Sequence, residues 1–212
     1  MVHFAGLFVT ALGAATAVNS NLGISPISSV PYVLSRIFPV SMGTFAALSL
    51  IGFVFLQMLL LRREFRWLNL TQILSSSVYG VCVDVARFLI GDFRLPTYFG
   101  QLTMLAVSIT FIVAGTALLL LSKFPILPSG SLCVALAQKT NIAFSRIKVA
   151  MDCTMAGISI ALSFLFLGNL IGVREGTVIT AILVGSLIPL CIKLLIPILR
   201  TLGVPVEQSG KS

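Results

Sequence analysis

Two groups of small polar residues in this sequence could bind a ligand, because each surrounds a proline just before a short apolar stretch. Proline suits the first turn of a helix, and serine hydroxyls there can donate and accept hydrogen bonds. The N–H groups at a helix start favour an anionic or carbonyl-bearing ligand. The candidate binding residues are Ser25, Pro26, Ser28, Ser29, Pro128, Ser129, Gly130 and Ser131. Alternatively, the serines only cap two structural helices.

Acidic residues inside apolar stretches are a second group of candidates. Asp84 precedes Arg87 by three residues, and Asp152 follows Lys148 by four. A charge at the centre of a bilayer costs about 2.5–3.5 kcal/mol on insertion scales, so each carboxylate is a candidate proton or cation site. The alternative for each is a structural ion pair close to the membrane surface. We therefore treat Asp84, Arg87 and Asp152 as candidate intramembrane charges that could couple transport to a proton or another cation.

The residues that enzymes use are not arranged for catalysis here. His3 is the only histidine, which excludes a Ser-His-Asp triad. The four cysteines form no CxxC pair, and the sequence has neither metal-ligand spacing nor a phosphate-binding glycine loop. We therefore expect no enzymatic activity, no cofactor and no metal, and we exclude direct ATP hydrolysis.

Composition indicates where these residues lie. The chain has 212 residues, of which 58% are hydrophobic and 9% charged, with a mean hydropathy of +1.10. Soluble domains carry about 25% charged residues, so a polytopic protein in a lipid bilayer is predicted. The net charge of +8 comes from basic residues that cluster in loops, which sets membrane orientation and does not indicate nucleic-acid binding.

The apolar stretches predict an all-α fold. Two stretches, residues 26–37 and 128–139, are shorter than the roughly 20 residues that a spanning helix needs, and we expect them to be re-entrant helices. About six transmembrane helices are expected near residues 2–18, 44–61, 70–90, 98–121, 144–167 and 177–199.

The two halves of the sequence are related. An offset of 102 residues aligns Pro26 with Pro128 and Leu34 with Leu136, and a similar offset aligns Gly80 with Gly185. Each half then holds three spans, and an odd number predicts inverted-topology repeats. We expect a first membrane repeat at 1–95, a second at 96–203 and a cytoplasmic tail at 204–212. The excess of basic residues after the second and fourth spans places both termini in the cytoplasm.

Several runs resemble the YczE/YyaS/YitT family of bacterial integral membrane proteins over nearly the whole chain. The most specific are residues 22–26, residues 144–149 with Asp152, residues 172–178, and residues 80–84. The chain departs from the family where many members have Trp-Asp after the first proline, since Ile27-Ser28 stands there. It also lacks an acidic residue before the second short helix. The resemblance implies the fold, the orientation and presumed transport, but no acidic site at those positions.

Together these patterns predict a transporter or permease for a small polar solute, anionic solutes included, in a bacterial inner (plasma) membrane. Its site would lie between the two short helices. The alternative is a non-transporting membrane scaffold or regulatory protein that acts through a partner. A homo-oligomer or another membrane protein is a further candidate partner.

Overall fold

A computed structural model describes residues 2–62, 67–122 and 127–201. Within these ranges the chain forms eight α-helices and no β-strand, and one turn of 3-10 helix at Trp67–Leu70 leads into the fourth helix. The helices are α1 Val2–Ser20, α2 Pro26–Ile37, α3 Met42–Leu61, α4 Thr71–Ile90, α5 Tyr98–Leu121, α6 Pro128–Thr140, α7 Phe144–Leu167 and α8 Glu175–Thr201.

Six of these helices, α1, α3, α4, α5, α7 and α8, are long and apolar enough to cross a membrane. The predicted all-α fold with six candidate spans is thereby confirmed. The helices α2 and α6 have 12 and 13 residues, which corresponds to about 20 Å and is too short for a bilayer core of about 30 Å. The predicted tail at 204–212 and the predicted basic residues at 63–66, Lys123 and Lys211 lie outside the described residues.

The helix α1 lies at the centre of the molecule, where it packs mainly on α5 and also on α4. Glycines allow the close approach. A Cβ atom on Gly13 would lie 2.7 Å from Ile112 Cγ1 and 2.9 Å from the Ser108 carbonyl oxygen, and one on Gly6 would lie 3.1 Å from the Gly115 carbonyl oxygen. The Ser108 hydroxyl donates to the Gly13 carbonyl at 2.8 Å. Small residues therefore join α1 and α5, as in many membrane helix pairs.

The remaining helices surround this pair. The helix α3 packs on α4, where Gly43 and Gly80 face each other without space for a side chain, and α8 packs on α5. Each short helix packs on both α3 and α7. The side chains of Ser41 and Thr97 cap α3 and α5 by accepting from the backbone N–H groups of Thr44 and Gly100.

Candidate functional site

The start of α2 is joined to the loop between α7 and α8. The Ile24 N–H donates to the Gly172 carbonyl at 3.0 Å, and the Gly176 N–H donates to the Leu22 carbonyl at 2.8 Å. These bonds link two of the motifs that carry the family resemblance, residues 22–26 and 172–178. The helices α2 and α8 therefore both begin at this junction.

Glycine is required at two positions of the junction. Gly23 has a φ of +114°, and a Cβ atom there would lie 2.6 Å from Thr177 Oγ1. A Cβ atom on Gly176 would lie 2.7 Å from the Leu22 carbonyl oxygen. Any other residue would push the two segments apart.

A cavity of about 120 Å³ opens beside this junction. Arg174 lines it and donates from Nη1 to the Asn21 carbonyl at 3.0 Å, while its Nε lies 3.5 Å from Glu175 Oε2. Tyr32 also lines the cavity, and its hydroxyl accepts from Arg36 at 3.1 Å. The cavity is lined by Ala17, Val18, Asn21, Gly23, Ile24, Tyr32, Leu170, Ile171, Gly172 and Arg174.

The predicted serines at the start of α2 lie next to one another. Pro26 occupies the first turn of the helix, but Ser25 makes no side-chain cap and donates instead to the Ser28 hydroxyl at 3.2 Å. The Ser28 side chain also lies near the Tyr79 hydroxyl of α4. Ser29 is fully buried and donates to the Pro26 carbonyl at 2.6 Å. Only Ser29 is therefore committed to the backbone of its own helix.

The predicted residues at the start of α6 have different partners. Two buried glutamines that the sequence reading missed, Gln57 of α3 and Gln72 of α4, reach this helix start. Gln57 Nε2 donates to the Pro128 carbonyl at 2.7 Å, and Gln72 Nε2 donates to Ser131 Oγ at 3.1 Å. Ser129 is buried, and the Gly130 N–H donates to the Leu127 carbonyl. Glutamines within apolar stretches were the signal that could have found this cluster.

The structure thus gives the two short-helix starts separate polar surroundings. The start of α2 contacts the α7–α8 loop, whereas the start of α6 contacts the glutamines of α3 and α4. A solute-binding role for either start stays a prediction.

Asp84 does not form the ion pair with Arg87 that was one of the two sequence-based alternatives. Its carboxylate instead accepts from the Ser41 hydroxyl at 2.6 Å and from the Gly43 N–H at 2.8 Å. Arg87 Nη1 points to Met42 Sδ at 3.8 Å. Asp84 is therefore a second cap on the start of α3, because a carboxylate satisfies free N–H groups there. A coupling role for Asp84 remains a prediction.

Asp152 forms the predicted i, i+4 ion pair with Lys148, with both carboxylate oxygens 2.5 Å from Nζ. The side chain of Asp152 is buried, as expected for a paired carboxylate among apolar helices. Its neighbourhood includes Cys133 of α6, whose Sγ lies 3.2 Å from Met151 Sδ. No group of three or more potential metal ligands occurs among the described residues.

His3 has a structural environment that the sequence did not indicate. It is buried at the start of α1, and its two ring nitrogens lie 3.0 Å from Ser122 Oγ and 3.1 Å from Ser75 Oγ. His3 therefore connects α1 to α4 and to the end of α5.

Six apolar spans and two short helices with polar starts are typical of a multi-pass helical membrane protein. The chain belongs to a family of unknown function, DUF6198, whose profile matches residues 1–193. It is similar to the uncharacterized protein YyaS of Bacillus subtilis (strain 168), with 25% identity over 191 residues that cover 89% of each chain. This match confirms the resemblance to a YyaS-like family. No solved structure matches the chain.

Proposed function

We propose that this protein is a transporter or permease for a small polar solute, anionic solutes included, in the plasma membrane of a bacterium. It moves the solute without changing it chemically, so no catalytic residue or cofactor takes part. The solute binds at the start of α2.

The observation that carries this proposal is the cavity at the junction of α1, α2 and the α7–α8 loop. Arg174 lines the cavity, and the N-terminal ends of α2 and α8 both lie beside it. Helix starts and a guanidinium both favour an anionic group. Transporters commonly bind solutes at such broken-helix starts, because lipid cannot satisfy the free N–H groups.

The helix neighbours support two inverted repeats, in which α1 to α4 correspond to α5 to α8. The pair α1–α4 then matches α5–α8, α2–α7 matches α6–α3, and α2–α3 matches α6–α7, with α1–α5 as the central pair. The pair α3–α4 departs from this pattern, because α7 and α8 do not pack on each other to a similar extent among the described residues. Three spans in each half require opposite orientations. In this arrangement α2 and α6 are re-entrant helices that approach from opposite sides of the membrane.

We place both termini in the cytoplasm. Among the described residues, Arg62, Lys139, Arg146 and Lys148 then lie towards the cytoplasm, and Arg36, Arg94 and Arg174 lie towards the outside. A reporter that is active only outside the cytoplasm, fused after Ser212, is expected to give no signal. A strong signal contradicts this orientation.

Asp84 is our candidate for proton coupling. Protonation removes one of the acceptors that hold the start of α3, next to the close contact of Gly43 and Gly80. We expect Asp84→Asn to abolish the pH dependence of transport while part of the solute binding remains.

A scaffold that acts through a partner is the second candidate. The helix α8 packs chiefly on α5, and large apolar side chains such as Val178, Ile182 and Leu194 are exposed on it. A Cβ atom added to Gly157 of α7 or Gly185 of α8 would meet no atom of another described segment within 4 Å. Such a surface can contact lipid, a second copy of this chain or another membrane protein.

Uptake measurements distinguish the two candidates. A comparison of metabolites between a deletion strain and its parent identifies solutes whose levels change, and purified protein in lipid vesicles is then tested with each. We expect Arg174→Ala to lower uptake by about tenfold to a hundredfold, since a hydrogen bond to a charged group contributes about 1.5–3 kcal/mol. Arg174→Lys retains the positive charge, so we expect it to lower uptake less than Arg174→Ala does.

Arg94→Ala is the matched control, because Arg94 is an exposed loop residue that forms a long ion pair with Asp92, at 4.0 Å. It should transport like the unaltered protein. Normal uptake by Arg174→Ala, or no uptake of any candidate solute by the unaltered protein, favours the scaffold.

A further inference from the structure

The start of α6 is filled by the protein's own amide groups. Gln57 and Gln72 are 1% and 2% exposed, and their amides contact each other at 3.4 Å. Between them they bond the Pro128 carbonyl and the Ser131 hydroxyl. This helix start therefore already has polar partners within the chain.

The offset of 102 residues that relates the two halves of the chain identifies the residue of α7 that corresponds to Gln57. The helices α2 and α6 begin at Pro26 and Pro128, and α3 and α7 begin at Met42 and Phe144, with an offset of 102 residues in both cases. This offset relates Gln57 of α3 to residue 159 of α7. The packing corresponds as well, because α3 packs on α6 and α7 packs on α2.

Residue 159 is a serine, which is shorter than glutamine and lacks its amide. Ser159 is fully buried, and its hydroxyl has no hydrogen-bond partner among the residues that the structure describes. Most buried hydroxyls in proteins are paired, since an unpaired one is unfavourable. Thus α7, which packs on α2, carries an unpaired hydroxyl at the position where α3 carries Gln57.

Ser159 also precedes the part of α7 that bonds the wall of the cavity. One helical turn further on, the Ser163 hydroxyl donates to the Asn169 carbonyl at 2.6 Å and accepts from the Ile171 N–H at 2.8 Å. Ile171 lines the cavity. Ser159 is therefore a buried residue of α7 that lies one helical turn before the serine that bonds the wall of the cavity.

We propose that Ser159 binds the carboxylate of a small solute at the start of α2, and that the start of α6 binds none because Gln57 and Gln72 occupy it. The inference rests on the proposed function and names its solute class and a contacting residue. A carboxylate accepts the Ser159 hydroxyl proton and is favoured by the positive end of α2. Of the two related helix starts, only that of α2 lacks the glutamine that corresponds to Gln57.

The test measures the melting temperature of the purified protein in detergent, with acetate as the probe. Acetamide is the uncharged analogue, and sodium chloride keeps the ionic strength equal. A ligand that binds only the folded state raises the melting temperature. We expect acetate, but not acetamide or chloride, to raise it for the unaltered protein.

Substitutions at position 159 complete the test. Ser159→Gln supplies the amide that α3 supplies to α6, so it should abolish the acetate effect. Ser159→Ala should abolish the acetate effect without lowering the melting temperature, because no bonded group is removed. Ser77→Gln is the control, since Ser77 is exposed on α4 and bonds only the Ile73 carbonyl.

An equal acetate effect in Ser159→Ala and the unaltered protein overturns the inference, as does an equal effect of acetamide or no effect of acetate. Binding in detergent does not require translocation. An acetate effect that depends on Ser159 therefore supports the site even where vesicles show no uptake, in which case only the proposed transport fails.

Discussion

The backbone N–H of Gly176 donates to the backbone carbonyl of Leu22 at 2.8 Å, although the two residues belong to opposite halves of the chain. This bond holds the first turn of α8 against the segment that leads into α2. It places two helix starts and Arg174 around one cavity, so the geometry of the candidate site depends on it.

We predict that Gly176→Ala disrupts this junction. The new Cβ atom would lie 2.7 Å from the Leu22 carbonyl oxygen, and overpacking of this kind costs about 1–3 kcal/mol. The free energy of unfolding should fall by that amount, and hydrogen exchange at residues 22–25 should accelerate. Gly185→Ala is the control in the same helix, because its new Cβ atom would meet no atom of another described segment within 4 Å. It should be neutral or stabilising by about 0.5–1 kcal/mol. Equal effects of the two would show that the junction is not tightly packed.

Asp84 stabilises the start of α3, so we predict that Asp84→Ala lowers the free energy of unfolding by about 1–2 kcal/mol. Ser41→Ala removes one partner of the same carboxylate, and the two substitutions together should deviate from additivity by about 0.5 kcal/mol or more. Asp92→Ala is the control, because that side chain is almost fully exposed, and its effect should stay within about 0.5 kcal/mol. Strict additivity of the first two would argue against a shared cap.

The buried glutamine pair should behave as a unit. Gln57→Leu leaves the Pro128 carbonyl and part of Gln72 without a partner, which costs about 1–3 kcal/mol. The double variant with Gln72→Leu should lose less than the sum of the single variants, because fewer polar groups remain unpaired. Gln101→Leu, at a partly exposed position in α5, serves as the control. Thermal unfolding in detergent measures the stability of the three single variants and the double variant. If the double variant loses as much stability as the two glutamine single variants together, the pairing is contradicted.

The close contact of α1 and α5 predicts that Gly13→Leu prevents assembly. Its Cβ atom alone would lie 2.8 Å from the Ile112 backbone nitrogen, and backbone cannot move aside as a side chain does. The protein should be nearly absent from the membrane fraction. Gly52→Leu in α3 introduces the same side chain at a position where the added Cβ atom meets no other described segment within 4 Å, and it should accumulate normally. Normal accumulation of Gly13→Leu would falsify the central position of this pair.

The sequence by itself determined the secondary structure and the class of protein. Composition and the lengths of the apolar stretches predicted six spanning and two short helices, and the observed bounds differ by only a few residues, as at Met42 and Glu175. These features could be predicted because they are local: a backbone in lipid must form its hydrogen bonds within the helix. The Lys148–Asp152 pair was equally predictable, since one helical turn separates the two residues.

Tertiary structure alone decided the partners of the polar groups. Asp84 was expected either to pair with its neighbour Arg87 or to line a cavity, but it bonds Ser41, 43 residues away. Gln57 and Gln72 were not recognised, because their role depends on the start of α6 more than 50 residues later. The two short helices look alike in sequence, yet only one has its start filled by glutamine side chains. Such contacts depend on how helices pack together, and spacing along one helix carries no information about them.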